Sequence, residues 1–281
     1  MVVAVWYKLL ALFFMKVVLI TGGSSGIGKS IGDFLTQHNF IVYGTTRDPS
    51  KYLDSKFNLI KSDINKRNDI ISLINYVIEK ENRIDVLINN AGIGFTGPIE
   101  DSNLDDIEKL FNTNFFGPIQ IIKCVLPHMR FQKSGLIINI TSIAGYIGLP
   151  YRGIYSSSKS ALEVLTEALR MEVKDFNIKV TNIAPGDFKT SIVNRRIDSF
   201  DNKESVYFEK YYRTWKDMNS HVEKSGSDPI LVSKLVYKII NTPNPKIHYK
   251  VGTFFQKFSI ILKRILPDLI FEKILIKYSK L

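Results

Sequence analysis

Cysteine, histidine and long apolar runs are all scarce in this sequence. A single cysteine, Cys124, stands among 281 residues, so neither an internal disulfide nor a cluster of cysteine metal ligands is available. Cys124 lies within an apolar run, and we interpret it as a core thiol. The four histidines are scattered without the spacing of metal ligands, so we expect no metal site.

The N-terminal stretch Met1–Phe14 is apolar, but it is too short to predict a membrane span. It lacks a small-residue cleavage site before the first predicted strand, which argues against a secretory signal. Two interpretations stay open: Met15 is the natural start, or residues 1–14 form a leader that packs on the protein or touches a membrane. We expect a cytoplasmic protein, with membrane association as the open alternative.

The formal net charge of +11 raises the question of nucleic-acid binding, but the charge is unevenly distributed. Eight Lys or Arg residues and only two acids lie between Lys246 and Leu281, interleaved with large apolar residues. Two apolar stripes with helical spacing flank Pro267: Phe258, Ile261, Leu262 and Ile265, then Phe271, Ile274, Leu275 and Tyr278. This predicts a basic, amphipathic C-terminal extension over residues 253–281 and no nucleic-acid partner. Its apolar faces either meet a membrane or dock on the protein's own core or a second subunit.

Strand-like apolar runs alternate with helical stretches over residues 15–252. The alternation predicts a single α/β domain built on a doubly wound parallel sheet of about seven strands. The predicted strands are Lys16–Thr21, Ile41–Thr45, Phe57–Lys61, Ile84–Ile88, Gly135–Thr141, Ile178–Ile183 and Lys246–Val251. The predicted helices are Ile27–Gln37, Arg67–Glu81, Leu104–Phe131, Ile154–Phe176 and Pro229–Asn241. Pro118 and Pro127 should bend or end turns of the third helix.

Residues 190–226 interrupt this alternation with a long, polar segment that is rich in aromatic side chains. The segment follows the sixth predicted strand. Ligands of open α/β sheets bind beyond the carboxyl ends of the strands, so an insertion there is placed to cover a substrate. We interpret the segment as a lid. The alternative is a surface helical hairpin whose aromatic rings pack on the core.

A glycine-rich turn follows the first strand and opens the first helix, with three glycines in the pattern G-x-x-x-G-x-G. Glycines allow a tight turn and a close approach of the backbone to a ligand. The N-terminus of the helix offers free N–H groups to a pyrophosphate. This context predicts a dinucleotide-binding turn. Its candidate contacts are Gly22, Ser24, Ser25, Gly26, Ile27 and Gly28.

The end of the second strand indicates which dinucleotide is used. An acid there would hold the ribose 2′-hydroxyl of NAD, whereas an arginine suits the 2′-phosphate of NADP. Arg47 follows Thr45 and Thr46 directly, and a guanidinium pairs bidentately with phosphate. We predict NADP(H), with Ser24 as a second phosphate contact. A register shift of one residue would instead put Asp48 near the ribose.

Tyr155 and Lys159 are four residues apart in a predicted helix, so they share one face. A cation beside a phenol favours the phenolate form, which makes tyrosine usable as an acid and a base near neutral pH. Such pairs also arise by chance on solvated helices. Because Ser142 lies upstream and the glycine turn lies near the start, the set predicts a tyrosine-based redox enzyme.

These motifs together resemble the short-chain dehydrogenase/reductase family over roughly residues 16–251. Beyond the glycine turn, the matching segments are Asp63-Ile64, Asn89-Asn90-Ala91-Gly92, Asn114, Ser142, Tyr155, Lys159 and Pro185-Gly186 with Thr190. The resemblance implies a Rossmann-type fold and a homodimer or homotetramer. It also implies further cofactor contacts at Asp63, Ile64, Asn90, Ala91, Gly92, Tyr155, Lys159, Pro185, Gly186 and Thr190.

The resemblance implies hydride transfer between a nicotinamide and a carbonyl or carbinol carbon, with Tyr155 as general acid or base. Lys159 would favour the phenolate and hold the nicotinamide ribose. Ser142 would hydrogen-bond the substrate oxygen, and Asn114 would anchor a water in a proton relay with Lys159.

The strand end at Arg47 and the long lid resemble the subgroup of hydroxysteroid and retinol dehydrogenases. That resemblance implies a small lipophilic alcohol or carbonyl substrate, steroid-, retinoid- or acyl-like. Ile143, Tyr146, Leu149 and Tyr151 would suit an apolar pocket for it. Two alternatives stay open. One is a sugar-nucleotide epimerase, which also uses Tyr-x-x-x-Lys but with a different glycine spacing. The other is a regulator that binds NADP without turnover.

Overall fold

The computed structural model of the protein describes residues 15–190, 196–200 and 202–279, without the side chains of 217–219, 221 and 223. The N-terminal stretch whose start and role the sequence left open lies outside these residues. The strands are β1 (Val17–Ile20), β2 (Ile41–Thr46), β3 (Asn58–Lys61), β4 (Val86–Asn89), β5 (Phe95–Thr96), β6 (Gly135–Ile140), β7 (Ile178–Pro185), β8 (Ile197–Asp198) and β9 (His248–Val251). Seven of them form a parallel sheet in the order β3-β2-β1-β4-β6-β7-β9. β5 and β8 pair separately.

The helices continue the alternation that the sequence predicts, with one interruption. They are α1 (Gly26–Gln37), α2 (Arg67–Glu81), α3 (Leu104–Phe111), α4 (Gly117–Gln132), α5 (Gly153–Glu172), α6 (Phe208–Ser225), α7 (Ile230–Ile240), α8 (Phe254–Ile265) and α9 (Asp268–Tyr278). A π-helical turn, Asn112–Phe116, joins α3 to α4 within the predicted third helix. Pro118 lies in the first turn of α4, where a missing N–H is tolerated. Pro127 lies inside α4 without ending it.

Both faces of the sheet are covered by helices, which is why its strands are apolar throughout. In β1, Val17 and Leu19 pack in a cluster with residues of α2, α4 and α5, whereas Val18 and Ile20 pack with α1 and α7. All four side chains are buried. Cys124 is half-buried and packs against the first of these clusters. The layers confirm the predicted Rossmann-type, doubly wound α/β fold.

β1 marks the point where the strand order reverses. It pairs with β2 on one side and with β4 on the other, so the connections that follow β1 and β4 leave in opposite directions. A crevice opens beyond the carboxyl ends of strands at such a point. The glycine turn follows β1, and the segment Asn90–Gly92 follows β4, so both border this crevice.

The two C-terminal helices are only partly docked on the domain. Ile260 of α8 and Phe271 of α9 are buried in a cluster with Ile143 and Ile147, beside the carboxyl end of β6. Many other large apolar side chains of these helices stay exposed: Phe254, Phe255, Phe258, Ile261, Ile265, Leu269, Ile270, Ile274, Ile276 and Tyr278. No helix in the described part of the chain has the length and apolar character to cross a membrane. The division of the chain near residue 252 stays a prediction.

Candidate active site

The glycine turn is fastened to the strands on either side of it. The Thr21 hydroxyl accepts hydrogen bonds from the backbone N–H groups of Asn90 and Ala91, each at 3.0 Å. The Asn90 side-chain amide donates to the Gly22 carbonyl at 3.0 Å. The Gly22 N–H in turn donates to the Thr45 hydroxyl at 3.0 Å. These bonds hold the ends of β1, β2 and β4 as one rigid edge.

Two positions of the turn illustrate why it needs glycine. Gly26 has a φ of 56°, in the left-handed region that side chains rarely adopt. A Cβ on Gly28 would overlap the Gly22 carbonyl oxygen and the Asn90 amide. The side chain of Ser25, the residue before α1, makes no capping hydrogen bond to the N-terminus of this helix. The turn fits a pyrophosphate, because it presents glycine backbone next to the N-terminus of a helix. Side chains at the glycine positions would block the close approach of the ligand.

Two charged residues of opposite sign, Arg47 and Asp48, follow β2. Arg47 is exposed and lines the crevice. One oxygen of Asp48 accepts from the Ser50 N–H at 3.2 Å and the Ser50 hydroxyl at 2.6 Å, and the other lies 3.2 Å from Lys51 Nζ. The bonds from Ser50, and then Lys51, lower the pKa of Asp48. Lys51 also lines the crevice and adds a second cation that the motifs do not predict.

The two flanks of the crevice come from the loops after β3 and β7. Asp63 accepts a hydrogen bond from the Asn65 N–H at 3.0 Å, and Ile64 is buried. β7 ends at Pro185, and the Gly186 N–H donates to the Val251 carbonyl at 2.8 Å. Thr190 lies across from the glycine turn, with its Cβ 3.3 Å from the point where Gly26 would carry one.

Tyr155 and Lys159 are both buried on α5. The Lys159 ammonium donates to the Ile140 carbonyl at 3.1 Å, at the end of β6. Burial lowers the pKa of Lys159, while the charges of Tyr155 and Glu163 act in the opposite direction. A cation held beside the tyrosine in this way is the arrangement that the sequence predicts for acid–base chemistry.

Asn114 and Ser142 approach this pair from two other elements. Asn114 lies in the π-helical turn, fully buried, and its amide donates to the Ser158 hydroxyl at 3.2 Å. A Cβ on Gly92 would lie 3.2 Å from Asn114 Oδ1 and 3.3 Å from Lys159 Nζ, so these two groups flank one point of the backbone. The Ser142 hydroxyl accepts from the Ala144 N–H at 3.1 Å and caps the short 3₁₀ turn after β6.

One cavity of about 1440 Å³ joins these parts. It runs from Arg47 past the glycine turn to Tyr155, and apolar side chains of α8 and α9 line its far end. Of the predicted catalytic and cofactor-binding residues, all but Gly28 and Asn114 line it. Those two support the lining from behind: Gly28 packs under the turn, and Asn114 holds the backbone beside Gly92. Of the residues predicted for the apolar pocket, Ile143 and Leu149 line it, whereas Tyr146 and Tyr151 do not. Within the described residues, no group of three or more His, Cys, Asp or Glu side chains is arranged to hold a metal ion.

A buried carboxylate lies behind Lys159 and belongs to none of the sequence motifs. Glu163 accepts hydrogen bonds from Thr141, Asn182 and Tyr146, the last at 2.6 Å. His248 Nδ1 lies 3.1 Å from the same carboxylate. Its position four residues after Lys159 was the available signal, because it puts Glu163 on the same helix face.

The model of the short chain dehydrogenase family matches residues 16–199, about two thirds of the chain. The chain belongs to the short-chain dehydrogenase family. It is therefore an oxidoreductase.

Similar proteins span most of the chain. A 3-ketodihydrosphingosine reductase of Bacteroides thetaiotaomicron is 39% identical over 254 residues, which cover 90% of this chain and 94% of the relative. Retinol dehydrogenase 8 of Bos taurus is 28% identical over 275 residues, covering 90% and 86%. Among solved structures, ElxO with NADP bound superposes with a TM-score of 0.68 at 28% identity, over 85% of this chain and 97% of that one.

Proposed function

We propose that the protein is an NADP(H)-dependent oxidoreductase that interconverts a lipophilic carbonyl compound and its alcohol. The observation that carries the proposal is the single cavity that Ser142, Tyr155 and Lys159 share with the glycine turn and Arg47. A bound nicotinamide dinucleotide would supply or accept the hydride. The protein would hold the two reactants together and handle the proton.

The positions of the residues support the roles that we propose for them. Tyr155 would give its proton to the carbonyl oxygen in reduction and take it back in oxidation. Lys159, buried beside it, would favour the phenolate and hold the nicotinamide ribose. The Ser142 hydroxyl oxygen accepts a hydrogen bond from the Ala144 N–H, so the hydroxyl hydrogen stays available for the substrate oxygen. Asn114 would fix the backbone next to Lys159 and anchor a relay water with it.

Replacement of the tyrosine tests this assignment. We expect Tyr155→Phe to lower kcat by about 10²–10⁴-fold, the usual contribution of a positioned acid or base. Turnover of NADPH would be followed with a panel of long-chain ketones, steroids and retinoids. Tyr76→Phe, at a 44% exposed position outside the cavity lining, is the matched control. Wild-type turnover by folded Tyr155→Phe would refute the assignment, and cofactor binding without turnover of any compound would favour the regulator.

The preference for NADP(H) rests on the charges after β2. Arg47 and Lys51 border the crevice, while Asp48 is engaged with Ser50 and Lys51. The similar protein ElxO binds NADP. We expect a higher kcat/KM with NADPH than with NADH, and a loss of most of that preference in Arg47→Ala. A wild-type preference for NADH would contradict the proposal.

A lipophilic substrate is supported by the far end of the cavity. Its lining there is largely apolar: Ile143, Ile147, Leu149, Phe255, Phe258, Leu262, Phe271 and Ile274. Two similar proteins carry the names of enzymes for lipids, a ketosphingoid base and a retinoid. Residues 190–226 would serve as the lid. Of that segment, 191–195 and 201 lie outside the described residues, and Thr214 and Val222 of α6 line the cavity.

The helices α8 and α9 would touch a membrane surface. Phe255, Phe258 and Ile274 line the cavity and are also exposed, so the apolar lining continues onto the outer surface. Basic side chains lie among them: Lys257, Lys263, Arg264, Lys273 and Lys277. A lipid could then pass between bilayer and cavity without crossing water. A homodimer or homotetramer stays a prediction from the family resemblance.

A further inference from the structure

Two arginine side chains lie in the cavity beside the tyrosine, outside every motif of the family. The Arg152 guanidinium carbon lies 5.3 Å from the centre of the Tyr155 ring. Arg196, just before β8, lines the same cavity. Its Cγ lies 3.2 Å from the point where Gly94 would carry a Cβ. Both cations therefore lie where the substrate, rather than the pyrophosphate, would be held.

The two guanidinium groups repel each other. Burial, and next the charge of Arg152, lower the pKa of Arg196 to about 10, so that Arg196 still keeps its proton at neutral pH. Two protonated groups that face one partly buried space attract any anion that enters it, and the attraction is stronger there than in bulk water.

Arg152 also has a hydrogen-bond donor to offer. Its Nε is buried and has no hydrogen-bond partner among the described residues. None of the ion pairs between described residues includes Arg152. A buried donor is seldom left without a partner, and a guanidinium binds a carboxylate or a phosphate with two parallel bonds.

The acids near Arg196 form no ion pair with Arg152, so they do not replace an anionic ligand of Arg152. Asp187 and Asp198 both interact electrostatically with Arg196. Asp187 accepts a hydrogen bond from the Gln256 amide at 2.8 Å, and Asp198 accepts one from the Tyr211 hydroxyl. In each carboxylate at least one oxygen is thereby held by a neighbour on another element, and neither acid forms an ion pair with Arg152.

We propose that Arg152 and Arg196 form a subsite for an anionic group of the substrate, a carboxylate or a phosphate monoester. The apolar end of the cavity would take the rest of the molecule. The proposal rests on the proposed function in calling the ligand a substrate. The substrate would thus be an anionic amphiphile whose reacting carbonyl lies near its charged end, because both arginines lie near Tyr155.

Binding of three eight-carbon ligands tests the subsite. Octanoate, octyl phosphate and the uncharged octanamide would be titrated calorimetrically into the full chain saturated with NADP⁺. We expect one of the anions to bind about tenfold or more tightly than the amide, which is about 1.4 kcal/mol. Arg152→Gln and Arg196→Gln should each abolish most of this preference. Arg130→Gln, at an exposed position outside the cavity lining, removes the same charge and should keep it.

Equal binding of the three ligands by the wild-type protein would overturn the subsite, as would a preference that survives both replacements. The tighter of the two anions identifies the headgroup. Circular dichroism checks the fold of each variant, and if one does not fold the other decides. The measurement needs no turnover, so failure of the proposed redox activity leaves its result interpretable. Conversely, an active enzyme without the anion preference would contradict only this inference.

Discussion

Asn114 and Ile93 are joined by two reciprocal hydrogen bonds. Asn114 Oδ1 accepts from the Ile93 N–H at 2.9 Å, and Asn114 Nδ2 donates to the Ile93 carbonyl at 3.0 Å. The Asn114 side chain thus makes the two hydrogen bonds to the Ile93 backbone that a neighbouring strand would otherwise make. The π-helical turn makes this possible, because its extra residue changes the face on which Asn114 projects.

Replacement of Asn114 should therefore affect stability as well as catalysis. In Asn114→Ala, both backbone polar groups of Ile93 lose their partner at a half-buried position. We expect the free energy of unfolding to fall by about 1–3 kcal/mol, with a reduced kcat in the remaining folded protein. Urea denaturation and steady-state kinetics measure the two effects. Unchanged stability would mean that water replaces the amide and that the two hydrogen bonds to Ile93 do not stabilise the fold.

The glycine turn gives a prediction with a built-in control. Gly28→Ala adds a methyl group that overlaps the Gly22 carbonyl and the Asn90 amide, so the turn must open. We expect NADPH to bind at least about tenfold more weakly, a change of about 1.4 kcal/mol. Gly148→Ala adds the same methyl group where nothing lies within 4 Å, and it should bind NADPH as the wild type does. Fluorescence titration distinguishes them, and similar affinities in both variants would contradict the fit.

The carboxylate behind Lys159 should tune the pH dependence. Burial lowers the pKa of Lys159, and the Glu163 charge opposes that effect. The charge of Tyr155 opposes it too, but in Glu163→Gln the second opposing charge is gone, so Lys159 loses its proton at a lower pH than in the wild type. We expect the alkaline limb of the kcat/KM profile to move to lower pH. Glu167→Gln, one turn further on and about half exposed, should leave the limb in place. A limb that does not move in Glu163→Gln would exclude this coupling.

The hydroxyl of Tyr211 ties α6 to the small sheet. It hydrogen-bonds to Asp198 in β8 and, at 3.1 Å, to Thr96 in β5. Tyr211→Phe keeps the ring but loses both bonds, so α6 should open more often and its amides should exchange faster with deuterium. Tyr212→Phe, at a 55% exposed position, is the control. If α6 is a lid, KM should change with the exchange rate. Exchange at the wild-type rate in Tyr211→Phe would argue against this anchor.

The exposed apolar residues of α8 and α9 should bind lipid. We expect the full chain to co-sediment with vesicles that contain anionic phospholipid, less at high salt because the basic residues contribute. Ile265→Ser with Leu269→Ser removes two side chains that are 72% and 73% exposed, and it should weaken binding. Phe131→Ser removes one that is 91% exposed on α4 and should not. Absence of binding by the intact chain would reject the membrane proposal.

Periodic features were predictable from the sequence because they depend on neighbours along the chain. The bounds of α2 match the predicted helix Arg67–Glu81, and the seven strands lie within a few residues of their predicted positions. The π-helical turn at Asn114 was not predictable, since one extra residue in a helical turn leaves no mark on the apolar pattern. β5 and β8 have two residues each, and only the pairing of Phe95 with Ile197 and of Thr96 with Asp198, far apart in the chain, makes them strands.

The site followed the same division. The motifs brought Ser142, Tyr155 and Lys159 to one cavity. The contacts of Arg196, in contrast, depend on how the neighbouring strand β8 packs against α5, and no spacing encodes that. The C-terminal stripes were found, yet Ile260, outside the predicted stripe, is the residue of α8 that is buried. Which face of a helix docks is decided by the surface it meets.

The last strand of the sheet has a consequence for the protein's synthesis. In the described sheet, β9 covers the outer edge of β7. The Gln256 side chain of α8 donates a hydrogen bond to Asp187, which lies in the loop after β7. A ribosome makes these pieces after all of the other strands. Until residues 248–256 emerge, the nascent chain has an unpaired parallel edge and an unsupported loop on the crevice. We expect that interval to be the time when the chain depends most on chaperones.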